Sequence, residues 1–186
     1  MRIIAGEAKG RRLFAPEGRD TRPTADRVRE SLFGILSPRL EEARVLDLFA
    51  GSGALGLEAL SRGAKSAVLC DRAEAAGRAI LRNVSLTGCT EKVQHLRCDW
   101  RAALRRLRGQ KFDLVFLDPP YDEPGLYAQA LEMLGQMDLL GEDALIVLER
   151  TVRKAPRMPD GFRVCDSRRY GDTAIDFVQR EGKPCA

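Results

Sequence analysis

A chain of 186 residues that is 44% hydrophobic and 31% charged, with a net charge of +4, is expected to fold as one globular unit with a substantial core. It holds no apolar run long enough to cross a bilayer, and Met1-Arg2-Ile3-Ile4-Ala5-Gly6 does not read as a signal peptide, so a cytoplasmic location is expected. The five cysteines never stand as Cys-x-x-Cys, and the one histidine, His95, lies in the apolar run Val93–Leu96. This usage argues against a disulfide scaffold, a zinc site and His-dependent triads; no metal is expected.

The charge excess lies at the start of the chain. Residues 1–29 carry eight basic side chains against four acidic ones, an excess equal to that of the whole chain, and a basic arm of this kind suits phosphate contacts. Residues 2–5 and 11–14 read as short strands around a turn at Glu7–Gly10. Thr24 then caps a predicted helix running to Leu36, with Val28, Leu32, Ile35 and Leu36 on one face and Asp26 in its first turn. From Val45 the pattern alternates. Strands are predicted at 45–49, 67–70, 93–97, 112–117 and 144–149, and helices at 54–61, 72–86, 100–108 and 125–135. Phe162–Cys165 and Ala174–Val178, on either side of Arg168–Asp172, read as a closing antiparallel hairpin. The expected fold class is α/β: a doubly wound, mostly parallel sheet with an antiparallel C-terminal hairpin and a short N-terminal β-hairpin and helix extension. Residues 1–186 form one domain in this reading, with residues 1–40 as the basic extension and 41–180 as the catalytic core.

Two motifs carry chemistry. Val45-Leu46-Asp47-Leu48-Phe49-Ala50 enters Gly51-Ser52-Gly53-Ala54-Leu55-Gly56, a Gly-x-Gly-x-x-Gly turn between a strand and a helix. Glycines there let the backbone turn tightly and approach a ligand closely. Asp71 follows at the end of the next apolar run, where an acid accepts hydrogen bonds from ribose hydroxyls. The combination points to a nucleoside-containing cofactor, and by itself it fits a nicotinamide or flavin dinucleotide as well.

The second motif is Asp118-Pro119-Pro120-Tyr121 after the run Phe112–Leu117. A strand that stops at two prolines can hold a carboxylate, a backbone carbonyl and a flat ring in fixed positions, as a flat, amino-bearing substrate such as a nucleobase requires. Asp47 in the first strand, Asp71 after the second, Asp99 after the third and Asp118 after the fourth would line the carboxyl edge of the sheet, where ligands bind in such folds. Asp71 and Asp99 also suit plain helix caps.

Asp47-Leu48-Phe49-Ala50-Gly51-Ser52-Gly53 paired with Asp118-Pro119-Pro120-Tyr121 resembles the S-adenosylmethionine-dependent amino-methyltransferases with a Rossmann-like sheet. Arg22-Pro23-Thr24-Ala25-Asp26-Arg27-Val28-Arg29-Glu30-Ser31-Leu32-Phe33 and Tyr170-Gly171-Asp172-Thr173 resemble the bacterial 16S rRNA guanine-N2 methyltransferases that act on guanine 966 of the small subunit. The matching segments run from Arg2 to Val178. The resemblance implies S-adenosylmethionine as cofactor, with Gly51, Ser52 and Gly53 beneath its amino acid and ribose moieties. Asp71 then holds the ribose, Asp99 the adenine amino group with Trp100 beside the ring, and Asp47 and Arg72 complete the cofactor set. It also implies that Asp118 and Pro119 accept the hydrogens of the guanine amino group, that Pro120 stiffens the loop, and that Tyr121 stacks on the flipped base.

Arg11, Arg12, Arg22, Thr24, Arg27 and Arg29 are the expected RNA contacts. Arg168 and Arg169 are placed at the rim of the site, and the arginines of 101–108 are read as a solvated helix face. The expected partner is 16S rRNA within an assembled or nearly assembled small subunit, acted on by a monomer without membrane contact. Competing readings are an amino-methyltransferase for DNA adenine, cytosine or a protein glutamine, a dinucleotide oxidoreductase, and a non-catalytic RNA-binding module.

Overall fold

Apolar runs too short for helices and bounded by glycine or acidic residues form the centre of the molecule as parallel strands, the inner ones buried on both faces and the edge strand Val93–Leu96 half-exposed. The computed structural model describes residues 1–16, 26–119 and 125–182. In chain order its elements are α1 (Asp26–Leu36), β1 (Arg44–Asp47), α2 (Ala54–Ser61), β2 (Ser66–Cys70), α3 (Glu74–Thr87), β3 (Val93–Leu96), α4 (Trp100–Arg106), β4 (Phe112–Leu117), α5 (Leu126–Gln136), β5 (Leu140–Thr151), β6 (Phe162–Tyr170) and β7 (Thr173–Arg180). The seven strands form one sheet in the order β3-β2-β1-β4-β5-β7-β6. β1 to β5 run parallel, while β7 lies antiparallel between β5 and β6. Strand order reverses at β1, whose neighbours are β2 and β4, and such a switch point opens a crevice beyond the carboxyl ends of the strands.

Helices cover both faces. Val45, Leu114, Phe116 and Val147 meet α1, α2 and α3 through Leu32, Phe33, Leu57, Leu60 and Ile80. Leu46, Val68, Val115 and Ile146 meet α4 and α5 through Leu104, Leu131 and Leu134. Gly56 sits where α2 crosses β2; a methyl group on it would lie 2.3 Å from Leu69 Cδ2, so the close approach of helix and strand requires glycine.

Three expectations are corrected. The buried face of α1 is Arg29, Leu32, Phe33 and Leu36, with Ile35 exposed, because an arginine takes one position of the i, i+3, i+4, i+7 set and hides the stripe. The N-terminal hairpin forms only one bridge pair, Arg2 with Arg12, in place of two strands; its arms are joined by the amides of Ile3, Gly10 and Leu13 donating to the carbonyls of Arg11, Ile3 and Met1, while other amides turn to the helices beneath. The closing hairpin is longer than expected. Residues 168–170 belong to β6, the connection is Gly171–Asp172, and an irregularity between Val164 and Asp166 breaks the alternation that would have revealed a long strand.

The N-terminal segment is fastened along α2. The fully buried Glu58 accepts the amides of Ile4 and Ala5 at 2.7 and 3.1 Å, and Ser61 Oγ accepts the amide of Ala8 at 2.9 Å. Gly6, at φ +83°, packs so tightly on Ser61 that a side chain there would collide with the Ser61 carbonyl. At the other end of the hairpin, Asn83 exchanges two hydrogen bonds with the Phe14 backbone.

Candidate active site

The loop between β1 and α2 is held from three sides. The amide of Ala50 donates to the Cys70 carbonyl at 2.9 Å, and the amide of Leu48 to the Phe116 carbonyl at 3.2 Å. Asn83 Nδ2 donates to the Ser52 carbonyl at 2.9 Å, so the residue that anchors the N-terminal segment also fixes the glycine loop. Gly51 (φ +56°) and Gly53 (φ +80°) take left-handed conformations that side chains resist. Among the described residues nothing lies within 4 Å of where a Gly51 side chain would stand, so they leave the space over the loop open there.

Asp71 ends β2. Its Oδ2 accepts the Gly51 amide at 3.0 Å and its Oδ1 accepts the Ala73 amide at 2.8 Å at the start of α3. The side chain therefore does the work of a cap and ties β2 to the glycine loop. Asp99 also caps: it accepts the Arg101 amide at 2.9 Å and lies 3.8 Å from its guanidinium. Arg72 is exposed beside Asp71. Trp100 is only 4% exposed and packs within the α4–α5 layer, 6.4 Å from the Phe49 ring with the Arg101 guanidinium over it. The half-buried Phe49 is the aromatic with free surface at this point.

Asp47 is the least hydrated acid of the edge. It is 1% exposed, and among the described residues neither oxygen has a hydrogen-bond partner of normal geometry. Burial pushes its pKa up to about 7; the backbone amides of Phe49 and Gly56 offset part of this, and the charge of Asp71 adds to it. Asp118 follows β4 directly. Burial raises its pKa well above the ordinary carboxylate range, and the neighbouring charges of Glu149 and Asp47 raise it further. Leu117 pairs with Leu148, so Asp118 and Glu149 leave adjacent strands side by side. Glu149 was not among the expected site residues, although the run 144–149 ends in an acid as the other four strands do.

The edge thus brings together Asp47, Gly51, Ser52, Gly53, Asp71, Asp118 and Glu149, with Pro119 buried beside them and Asp99 one strand farther out. Pro120, Tyr121, Arg22 and Thr24 lie outside the described residues. Arg11, Arg12 and Arg27 are exposed. Arg29 is not: it is 1% exposed and donates to the Arg2 carbonyl at 2.7 Å and to Asp26 at 2.8 Å. Its position in the buried stripe of α1 gives it a part in holding the N-terminal segment in place of an outward phosphate contact.

Comparison with known proteins agrees with this arrangement. The chain is 38% identical over 185 residues to the putative rRNA methyltransferase YlbH of Bacillus subtilis, covering 98% of this chain and 100% of that protein. It is 37% identical to ribosomal RNA small subunit methyltransferase D of Escherichia coli, covering 98% of this chain and 91% of that one. Among solved structures, the putative methyltransferase yhhF from Escherichia coli superposes with a TM-score of 0.86 at 36% identity, over 98% of this chain and 99% of that one. The family model described as conserved hypothetical protein 95 matches residues 1–179, and the chain belongs to that family.

Proposed function

We propose that this protein transfers a methyl group from S-adenosylmethionine to the exocyclic N2 amino group of a guanine in 16S rRNA. The observation that carries the reading is the meeting of Asp118 with the glycine loop and Asp47 at the switch point of the sheet. Methyl transfer to rRNA is supported by the names of the relatives, a putative rRNA methyltransferase and a small subunit methyltransferase. The guanine N2 target rests on the N-terminal block Arg22–Phe33 and on Tyr170–Thr173.

The residues fit the cofactor. A buried carboxylate at Asp47, unmatched among the described residues, suits a cationic ligand, and S-adenosylmethionine carries both a sulfonium and an ammonium. The space over Gly51 admits close backbone approach, and a carboxylate at Asp71, beside the glycine loop at the end of the second strand, suits ribose hydroxyls. When bound, the cofactor supplies an electrophilic methyl group on sulfur.

The chain's own part is to make a poor nucleophile ready. The lone pair of a guanine amino group is delocalised into the ring. Asp118 and the Pro119 carbonyl accept its two hydrogens, which lets the nitrogen pyramidalise and present its lone pair. Asp118 then takes the proton released as the new C–N bond forms. Only its ionised form can do so, and its pKa is raised, so turnover rises with pH as the carboxyl ionises. We infer further that the protein acts as a cytoplasmic monomer on assembled or nearly assembled small subunits, with residues 1–40 gripping RNA; no described helix is long and apolar enough to cross a membrane.

Asp118→Ala tests the mechanism. Methylation should fall about 10²–10³-fold with cofactor affinity retained. Modification that survives in this variant contradicts the mechanism.

A further inference from the structure

The N-terminal arm is not the only basic module. Residues 150–172, covering the end of β5, the loop to β6 and the β6–β7 turn, carry seven basic and three acidic side chains. Their excess of four equals that of residues 1–29, so the rest of the chain is net negative by the same amount. Within the segment the acids are partly spent: Asp166 pairs with Arg168 at 2.8 Å, while Arg150 is taken by Asp176 of β7. Arg153, Lys154, Arg157 and Arg169 are exposed and have no carboxylate partner among the described residues.

The topology puts three of these at the catalytic edge. β5 leaves the sheet at Thr151, which pairs with Thr173 at the start of β7, beyond the strand position of Glu149. The amide of Val152 donates to the Asp172 carbonyl at 2.9 Å, and the amide of Lys154 to the Thr151 carbonyl at 3.3 Å, so Arg153 and Lys154 are pinned beside the β6–β7 turn. Arg169, in the last residues of β6 before that turn, is tied to it by its Nε donating to the Gly171 carbonyl at 3.1 Å. The turn in turn touches the N-terminal helix: Ser31 Oγ and Tyr170 Oη lie 2.7 Å apart. Arg27 stands one helical turn before Ser31, on the same face of α1. The two basic modules, far apart in sequence, therefore meet at one hydrogen bond.

We propose that Arg153, Lys154 and Arg169, joined to Arg27 across the Ser31–Tyr170 contact, form one continuous surface that docks the phosphate backbone of the RNA substrate beside the catalytic edge. This rests on the proposed function and adds a second half to the RNA-gripping surface. Lysine and arginine side chains that meet phosphates release counterions, so each contact adds to the salt dependence of binding without altering the chemistry.

The test is the triple variant Arg153→Ser/Lys154→Ser/Arg169→Ser, compared with Arg105→Ser/Arg106→Ser/Arg108→Ser, which removes the same charge from around the C-terminal end of α4 on the opposite face. Binding to 16S rRNA across a salt series and methylation with labelled S-adenosylmethionine are measured separately. In the edge variant the slope of log affinity against log salt should fall by about 2–3, and KM for RNA should rise about tenfold or more. Its kcat and cofactor affinity should stay within about twofold, and the α4 variant should match the wild type. The triple variant Arg153→Lys/Lys154→Arg/Arg169→Lys should keep wild-type binding, which separates charge from local structure. An unchanged slope and KM in a folded edge variant that still methylates overturns the docking surface and leaves the function standing. A wild type that binds RNA with this slope but methylates none of it refutes the function and supports the surface.

Discussion

Asp47 offers a direct thermodynamic check on the site. Its carboxyl is buried without a hydrogen-bond partner of normal geometry among the described residues, and its pKa is pushed from 3.8 to about 7. An acid whose folded pKa is raised binds its proton more tightly in the native state than in the unfolded chain. Stability at this position is therefore complete at and below about pH 4, falls as the pH rises towards about 7, and levels off above that. At 1.36 kcal/mol per decade, the interval from 3.8 to about 7 corresponds to a ceiling of about 4 kcal/mol. Asp47→Asn removes the titration and keeps the shape. Asp118 titrates in the same direction, so the gap between variant and wild type carries the test, not the wild-type curve alone. Urea unfolding of the cofactor-free proteins at pH 4.5, 6 and 8 measures that gap, with unchanged m-values as the control. The variant should gain on the wild type across this range by up to about 3 kcal/mol, about 1 kcal/mol of the ceiling being lost already at pH 4.5. A gap that is the same at all three pH values means that Asp47 is ionised throughout, and refutes the reasoning.

Two further substitutions probe the supports of the glycine loop. Gly56→Ala places a methyl group 2.3 Å from the buried Leu69 Cδ2, and the overpacking should outweigh the helix-propensity gain, lowering stability by about 1–2 kcal/mol in a thermal melt; a higher melting temperature contradicts the close packing of α2 on β2. Asp71→Ala removes acceptors from the Gly51 and Ala73 amides together with the proposed ribose contact, so cofactor affinity by calorimetry should fall about 10–100-fold with RNA binding nearly unchanged; equal loss of both contradicts the ribose assignment.

Much of the architecture was readable because period and punctuation agreed. The run Val45–Phe49 entering three glycines and the run Phe112–Leu117 stopping at Asp118 each placed a strand end, and four strand-end acids pointed to one edge. What was missed has physical causes. Arg29 sits in the buried stripe of α1, where a charged residue breaks the apolar pattern, so the face was misplaced and the residue taken for a phosphate contact. The burial of Trp100 in the core layer beside Phe49 was hidden too, because its direction is set by the packing of α4 against the sheet. The anchors Glu58 and Asn83 lie on the buried faces of α2 and α3, and only tertiary contact shows that they bind the backbone of a distant segment. Glu149 carried the same signal as the other strand-end acids. Its partnership with Asp118 depends on β5 lying next to β4, an order that local pattern does not specify.

The central claim is methyl transfer to a guanine amino group of 16S rRNA, and it is tested most directly by incubating the protein with isotopically labelled S-adenosylmethionine and small ribosomal subunits that lack the modification. Naked 16S rRNA and DNA run in parallel, and the digested nucleosides are identified by mass. The account predicts labelled N2-methylguanosine from the subunits. Label in DNA or in another nucleoside, or no label despite measurable cofactor binding, would contradict it.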